Sequence, residues 1–376
     1  MICTKCIYDD KIPYITFDEN GVCNYCHETD QLNKEYPIGK EGWDKLVKIS
    51  EKIKKDGRRK KYDVVVGVSG GCDSSYMLYL TKEKLGLRPL AVNLDNGWST
   101  KIASNNLQKM CDGLNIDLKV YHIDQLEYDD VYKSEFKSSV IELEAMADII
   151  LTVAHYMACD EFDIKYIFEG RCFRTEGIVP PGWSYFDSKY VESMHKTFGT
   201  YPIKTLPMLW LPIWFKWMLI NRIKKFRPLY YIDYNKEEVK KFLTSQFGWE
   251  WYGSHHAENK TSYFLNNYYL PKKFGIDIRY SEYAAFVRSG KMTKEEALDI
   301  ISKPAEFNLE VLKEWKKRLG FTNKEFEFYM SAPHKSYKDF KTYKQTFERL
   351  RPLFWIMYKL DLVPKSFYLK YTKKFD

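Results

Sequence analysis

The chain reads as an α/β protein built on a parallel sheet, with a small cysteine-bearing unit before the sheet and a helical region after it. Three observations lead there. Short apolar strands alternate with helical patterns from Tyr62 to Phe168, two Cys-x-x-Cys pairs precede them, and from Asn235 onward the pattern is helical. The strands are Val64–Val68, Leu90–Leu94, Leu118–His122 and Lys165–Phe168. Between them lie helical patterns at Ser74–Leu85, Ala103–Leu114 and Ser138–Glu161. Near-continuous apolar strands separated by helices indicate a parallel sheet covered on both faces. Ligands of such sheets bind at the carboxyl ends of the strands. Three segments lie there: Ser69–Ser75, Asp95–Trp98 and Glu169–Arg171.

The remaining elements follow in order. Residues 1–35 form a cysteine knuckle, and 36–61 a basic helical linker with Trp43, Leu46, Ile49 and Ile53 on one stripe. Residues 62–200 hold the sheet, and 201–376 an aromatic arm followed by helices. The later helical patterns are Lys236–Phe247, Ser281–Ser289, Thr293–Ile301, Leu309–Leu319 and Asn323–Met330. The 45% hydrophobic and 29% charged content is that of a folded globular protein and excludes a disordered chain. A net charge of +8 suits an anionic partner without choosing one. The N-terminus has no apolar signal region, so a cytoplasmic location with reduced thiols is expected. The segment Leu206–Ile220 is broken by Pro207, Pro212 and Lys216 and is too short to span a bilayer. It reads as a buried arm, with a partner-docking or membrane-surface patch as the alternatives.

The run Val64–Ser75 ends a buried strand on Ser69-Gly70-Gly71-Cys72-Asp73-Ser74-Ser75 and opens a helix. Adjacent glycines let a ligand approach the backbone, and a helix N-terminus offers unpaired N–H groups to an anion. Ser69, Ser74 and Ser75 add hydroxyl donors, and Asp73 adds a carboxylate suited to Mg²⁺ beside a polyphosphate. No Lys-Ser/Thr follows the glycines, so this is not a Walker A loop. The form Ser-Gly-Gly-x-Asp-Ser resembles the pyrophosphate loop of the ATP pyrophosphatases, which implies the adenine nucleotide alpha hydrolase-like fold and cleavage of ATP between its α- and β-phosphates.

Cys3-x-x-Cys6 and Cys23-x-x-Cys26 can converge four thiolates on one Zn²⁺, with Asp18-Glu19-Asn20-Gly21 as the turn between them. An iron–sulfur centre and a redox pair are the alternatives. Cys72, Cys111, Cys159 and Cys172 have no partner at metal spacing. Two further segments carry charge: Phe168–Gly177, and Trp251–Lys260 with Tyr269–Arg279. His255, His256 and Glu258 could bind metal, act as acid and base, or hold an anion. Lys272, Lys273 and Arg279 suit the neutralisation of departing pyrophosphate.

Taken together, the cysteine knuckles, Val-Ser-Gly-Gly-Cys-Asp-Ser-Ser, Leu-Asp-Asn-Gly-Trp, Glu-Gly-Arg-x-Phe-Arg-Thr-Glu-Gly, and His-His-x-Glu with Leu-Pro-Lys-Lys-Phe-Gly-Ile-Asp resemble the N-acetyl sugar amidotransferases. That family serves bacterial lipopolysaccharide O-antigen and flagellin-glycan synthesis. The resemblance covers roughly residues 1–300. It implies conversion of an acetamido group on a nucleotide-linked sugar to acetamidino, through O-adenylation and attack by ammonia, with ATP, Mg²⁺ and Zn²⁺ as cofactors. In that scheme Ser69, Gly70, Gly71, Ser74 and Ser75 cradle the phosphates, Asp73 helps hold Mg²⁺, and Asp95 lies near the adenosine. Lys273, with Lys272, takes the pyrophosphate charge. Glu169, Arg171, Arg174, His255 and His256 are candidates for sugar-nucleotide contacts or proton handling. The chain has no glutaminase signature, so the family implies a separate glutaminase subunit like that of imidazole glycerol phosphate synthase, with room for a cyclase-type companion. The arm at Met208–Trp217 is a candidate docking site for it. No nucleic-acid partner is expected, since the rival function, tRNA thiolation, usually needs paired cysteines in or after the loop domain.

Overall fold

The computed structural model describes residues 1–254, 256–360 and 362–374. Five strands form one parallel sheet in the order β3-β2-β1-β4-β5. They are β1 (Val64–Gly67), β2 (Pro89–Asp95), β3 (Leu118–His122), β4 (Tyr166–Phe168) and β5 (Lys224–Phe226). Alternate residues face opposite sides, as the pleat requires. Val65, Leu90, Val92 and Ile167 enter one core layer; Val64, Val66, Ala91, Tyr166 and Phe168 enter the other. The strand order reverses between β1 and β4, and a ligand crevice belongs at that reversal.

Seventeen helices accompany the sheet among the described residues. Before and between the strands run α1 (Asn24–Glu35), α2 (Gly39–Gly57), α3 (Cys72–Tyr79), α4 (Lys101–Leu114), α5 (Gln125–Lys137) and α6 (Ala145–Glu161). α7 (Ser188–Phe198) and α8 (Leu211–Phe215) precede β5. After it come α9 (Lys236–Phe247), α10 (Lys260–Phe264), α11 (Arg279–Arg288), α12 (Lys294–Ser302), α13 (Leu309–Leu319) and α14 (Asn323–Ser331). The chain closes with α15 (Lys344–Arg349), α16 (Arg351–Lys359) and α17 (Lys365–Thr372). α3, α8 and α10 each continue into a π-helical segment.

One expectation changes. The helix expected at Ser138–Glu161 begins only at Ala145, as α6, and a separate unexpected helix, α5, ends before it at Lys137. Asp124 caps α5 by accepting from the N–H groups of Leu126 and Glu127, and Ser139, with φ +55°, turns the chain after it. Glu135 then accepts from Met146 N–H at 2.7 Å at the start of α6. The aromatic arm is buried in part: Trp217 stacks on Tyr156 at 5.1 Å and Trp214 packs among Phe347, Phe354 and Phe367, while Trp210, Ile213, Leu219 and Ile220 are exposed. With Trp217 buried against α6 and Trp214 against the C-terminal helices, these two rings offer no docking surface. No described helix is long and apolar enough to cross a membrane.

Trp217→Ala should therefore lower unfolding free energy by about 3–5 kcal/mol, the usual cost of emptying a tryptophan site in a core. Urea denaturation of the two proteins measures it; an unchanged midpoint would place the ring outside the core.

Candidate functional site

The loop after β1 is built by close approach. Gly70 has φ +80°, and a Cβ there would collide with the Ala103 carbonyl of α4. Two side chains hold the Gly70 carbonyl: Trp249 Nε1 donates to it at 3.1 Å, and Asn106 Nδ2 at 3.4 Å. The hydroxyls then turn inward on the loop. Ser69 Oγ accepts from Gly71 N–H and Ser74 Oγ from Ser69 N–H, both at 3.2 Å. Cys72 N–H donates to Tyr252 Oη at 3.4 Å. Asp73 and Ser74 thus open α3 at the mouth of a cavity, with the phosphate-type donors expected of a helix N-terminus. Ser75, by contrast, is buried behind the loop.

A cluster of charges surrounds Asp73. Tyr234 Oη donates to it, and Lys236 Nζ lies 3.5 Å from its carboxylate and 3.9 Å from that of Glu282. Burial raises Glu176 and Glu282 above the ordinary carboxylate range, with Asp73 adding repulsion to both. His256, at φ +58°, faces Glu258 at 3.8 Å. Burial opposes the charge of each, but their attraction outweighs it, raising His256 and lowering Glu258. Glu258 Oε2 is buried with no hydrogen-bond partner among the described residues, while its Oε1 lies 3.5 Å from Ser69 Oγ. Asp73, Glu176 and Glu258 all line the cavity beside the loop, but among the described residues only the four cysteines bring their ligand atoms together as a metal cluster, so Asp73 is the carboxylate placed to meet Mg²⁺ on a bound polyphosphate.

Several expected residues sit elsewhere. Lys273 is buried, and its ammonium donates to the carbonyls of Tyr329 (2.6 Å), Met330 (3.1 Å) and Ala332 (2.9 Å) at the end of α14. Lys272 is solvent-exposed, and neither lysine lines the cavity. The cation at the loop is Lys236, at the start of α9, which no local motif marks. Asp95 closes its own turn by accepting from Gly97 N–H at 2.9 Å and faces His122 at 3.3 Å, outside the cavity. Arg174 does line the cavity, and its guanidinium donates to Asn33 Oδ1 at 2.9 Å and to the Tyr230 and Tyr36 carbonyls at 2.7 and 2.6 Å. His255 lies outside the described residues.

Glu169 and Arg171 do reach the cavity, at the end of β4. Glu169 accepts from Lys225 Nζ at 2.9 Å and Arg227 Nε at 3.1 Å, on and just after β5. Burial alone would raise its carboxyl, but the two cations hold it well below the usual range. His155 of α6 lies under Gly67, where a Cβ would strike its ring; burial lowers it to about 4, so it stays neutral. The cavity, about 2650 Å³, runs from the loop past Glu169 to α17.

The cysteine centre is preformed. The sulfur separations are 3.8 Å for Cys3–Cys26, 3.8 Å for Cys6–Cys23 and 3.6 Å for Cys23–Cys26. Four sulfurs at about 2.3 Å from a tetrahedral zinc stand about 3.8 Å apart, so the cluster fits a single ion. The same thiolates could ligate iron–sulfur chemistry. Arg288 Nη2 donates to Cys6 Sγ at 3.2 Å, placing a positive charge against the thiolates. The other thiols are buried, and burial pushes Cys72 and Cys111 up to about 12 and Cys172 to about 11.

Residues 258–353 match the family described as "LPS biosynthesis protein WbpG-like, C-terminal domain", and residues 44–157 match "NAD synthase". The chain joins an NAD synthase-like domain to a WbpG-like domain. The first carries the loop and Asp73; the second begins at Glu258 and includes α11 and Arg288. Together they support an ATP-using role of the amidating kind, with ATP and Mg²⁺ as the implied ligands. An uncharacterized protein of Methanocaldococcus jannaschii is 28% identical over 173 residues, 46% of this chain; the chain spans 59% of that protein's length. Among solved structures, NMN synthetase from Francisella tularensis is 14% identical, with 76% of this chain and 95% of that chain covered and a TM-score of 0.35. NH3-dependent NAD synthetase from Campylobacter jejuni is 16% identical, with 78% and 98% covered and a TM-score of 0.35. The U34-tRNA thiolase NcsA from Methanococcus maripaludis is 15% identical, with 86% and 89% covered and a TM-score of 0.31. These structural likenesses carry no argument about activity.

Two predictions test this site. Glu169→Gln leaves Lys225 and Arg227 without a full counter-charge and should cost about 3 kcal/mol at neutral pH. Because the folded carboxyl is depressed, its contribution is present above the unfolded value of about 4.3 and fades as pH falls. Urea titrations at neutral and acid pH should show the two proteins converging in acid; a constant gap would dismiss the ion pair as the cause. Cys6→Ser should lose bound zinc, read by elemental analysis, together with a fall in Tm, since metal binding at such a centre is folding energy. Full zinc retention would overturn the assignment.

Proposed function

We propose that the chain is an ATP-dependent amidotransferase acting on an acetamido group of a nucleotide-linked sugar in bacterial surface-polysaccharide synthesis. The carrying observation is the convergence of the glycine loop, Asp73, Lys236 and the His256–Glu258 pair on one cavity. An amide carbon is a poor electrophile until its oxygen becomes a leaving group. In this reading the acetamido oxygen attacks the α-phosphorus of ATP and pyrophosphate departs. Ammonia then attacks the adenylated imidate carbon, AMP leaves, and an acetamidine remains.

The side chains supply positioning and charge. Ser69, Ser74 and the backbone of Gly70–Ser74 hold the phosphates. Asp73 would help hold Mg²⁺, whose charge would offset that of the departing pyrophosphate. Lys236 adds a fixed positive charge beside Asp73. His256, after giving its own proton to solvent, takes up a proton released from the amide or from ammonia, and Glu258 steadies the charged ring that results. Nitrogen rather than sulfur transfer is supported by the remaining cysteines: all four are buried and held as thiols, whereas sulfur relay needs an accessible thiolate. Ammonia would come from a separate glutaminase subunit. The scheme places the enzyme in the cytoplasm, where nucleotide sugars and ATP are both at hand.

The test supplies ATP, ammonium and a UDP-linked diacetamido sugar, and follows AMP release and product mass. The expected product shows the mass change of one oxygen replaced by NH. Ser74→Ala should cut AMP formation at least about 100-fold, in line with the loss of an oxyanion-type donor, while zinc content stays unchanged. AMP formed with tRNA and no amidine from any acetamido sugar would overturn the reading.

A further inference from the structure

The cavity is larger than the loop requires. Small-molecule sites usually enclose about 300–1,000 Å³. At about 2650 Å³ this one has room for a second ligand beyond the nucleotide at Ser69–Ser74. Its far half is walled by α6, the turn at Trp183–Ser184, the arm and α17.

The charges there are unbalanced. Arg171 faces the cavity and makes no hydrogen bond or ion pair with any described residue. Lys370 of α17 also lines it, tethered to Ser184 Oγ at 2.9 Å. Each lies close enough to perturb the other, and both feel Asp148 of α6. Next to them Lys225 and Arg227 share the single carboxylate of Glu169. Four cations thus face Glu169 and Asp148, with Glu176 also acting on Arg171, while burial raises Glu142 to about 7 and holds Glu176 above the ordinary carboxylate range. The cations outnumber the carboxylates that burial leaves fully charged, and Arg171 presents its part of the excess at an exposed position on the cavity wall. Such a wall suits an anion. The half-buried Trp183 on the same wall offers a ring face for a base.

α17 is held where this requires. Lys344 Nζ donates to the carbonyls of Tyr371 at 3.1 Å and Lys373 at 2.5 Å, capping the end of the helix. Tyr371 packs against Tyr185 at 5.3 Å and Phe367 at 4.8 Å. The packing fixes Lys370 within the wall.

We propose that this half of the cavity binds the diphosphate of a nucleoside diphosphate, with Arg171 and Lys370 as its two cations. The proposal deepens the amidotransfer reading, because a nucleotide-linked sugar carries that group, but it can be tested without turnover. UDP, CDP and GDP are titrated calorimetrically into the full chain without ATP, and a non-hydrolysable ATP analogue is titrated separately with Mg²⁺. At least one diphosphate should bind at one site, and its monophosphate at least about tenfold more weakly. Arg171→Ala and Lys370→Ala should each weaken the diphosphate at least about tenfold and leave the ATP analogue unchanged, while Lys370→Arg restores binding. Ser74→Ala should do the reverse, weakening only the ATP analogue. Circular dichroism checks each variant; if Lys370→Ala fails to fold, Lys370→Gln takes its place. The proposal is overturned if none of the three diphosphates binds, if the monophosphate binds equally well, or if binding ignores Arg171 and Lys370 and follows Ser74. A protein that binds the diphosphate as described but makes no amidine keeps this site and loses the reaction assigned above.

Discussion

A phosphate-binding backbone has to be buried enough to be rigid and bare enough to be touched, and the whole molecule is organised around that conflict. The loop after β1 satisfies it with glycine, which removes the side chains, and with clamps from far away, which restore the rigidity. Trp249 and Asn106 hold the Gly70 carbonyl, and Tyr252 takes the Cys72 N–H. Without those contacts two adjacent glycines would make a loose turn. The segment from Trp249 to Glu258 is therefore as much a part of the loop as Ser69–Ser75, although more than 170 residues of chain separate them.

The same segment also seats the second strand-end. Ser99 bridges to Asn259, and Thr100 N–H donates to the Glu258 carbonyl at 2.9 Å. The reversal of strand order between β1 and β4 leaves a crevice, and the chain returns over it with Glu258 aimed inward. On the other side Glu169 joins the end of β4 to the lysine and arginine of β5 and its exit. Both flanks of the crevice are thus pinned by polar contacts between residues distant in sequence, and the apolar layers above and below the sheet carry the bulk of the stability.

What was legible in the sequence divides along that line. Features fixed within a few residues could be read: four strands, α9 and α13 to the residue, the cysteine quartet and the glycine loop. β5 was not, because Lys224-Lys225-Phe226 carries no apolar pattern, and its lysine is tolerated only by the carboxylate of Glu169. Lys236 and Lys370 belong to no motif and acquire meaning from what lies across the cavity. Lys273 shows the converse. Its motif is easily read, yet a nearby helix end with three unpaired carbonyls captures the ammonium. Short-range patterns name the elements; which charge meets which is decided by the tertiary arrangement.

One helix touches both ends of this system. α11 presents Arg288 to Cys6 Sγ and, six residues earlier, Glu282 to Lys236, which in turn faces Asp73. Six residues of α-helix span about 9 Å and move as a rod. The cysteine knuckle, remote from the crevice in sequence and with no open position for chemistry, is in mechanical terms a bearing for the catalytic side. Loosening the four sulfurs frees one end of the rod, and the carboxylate at the other end loses its mounting.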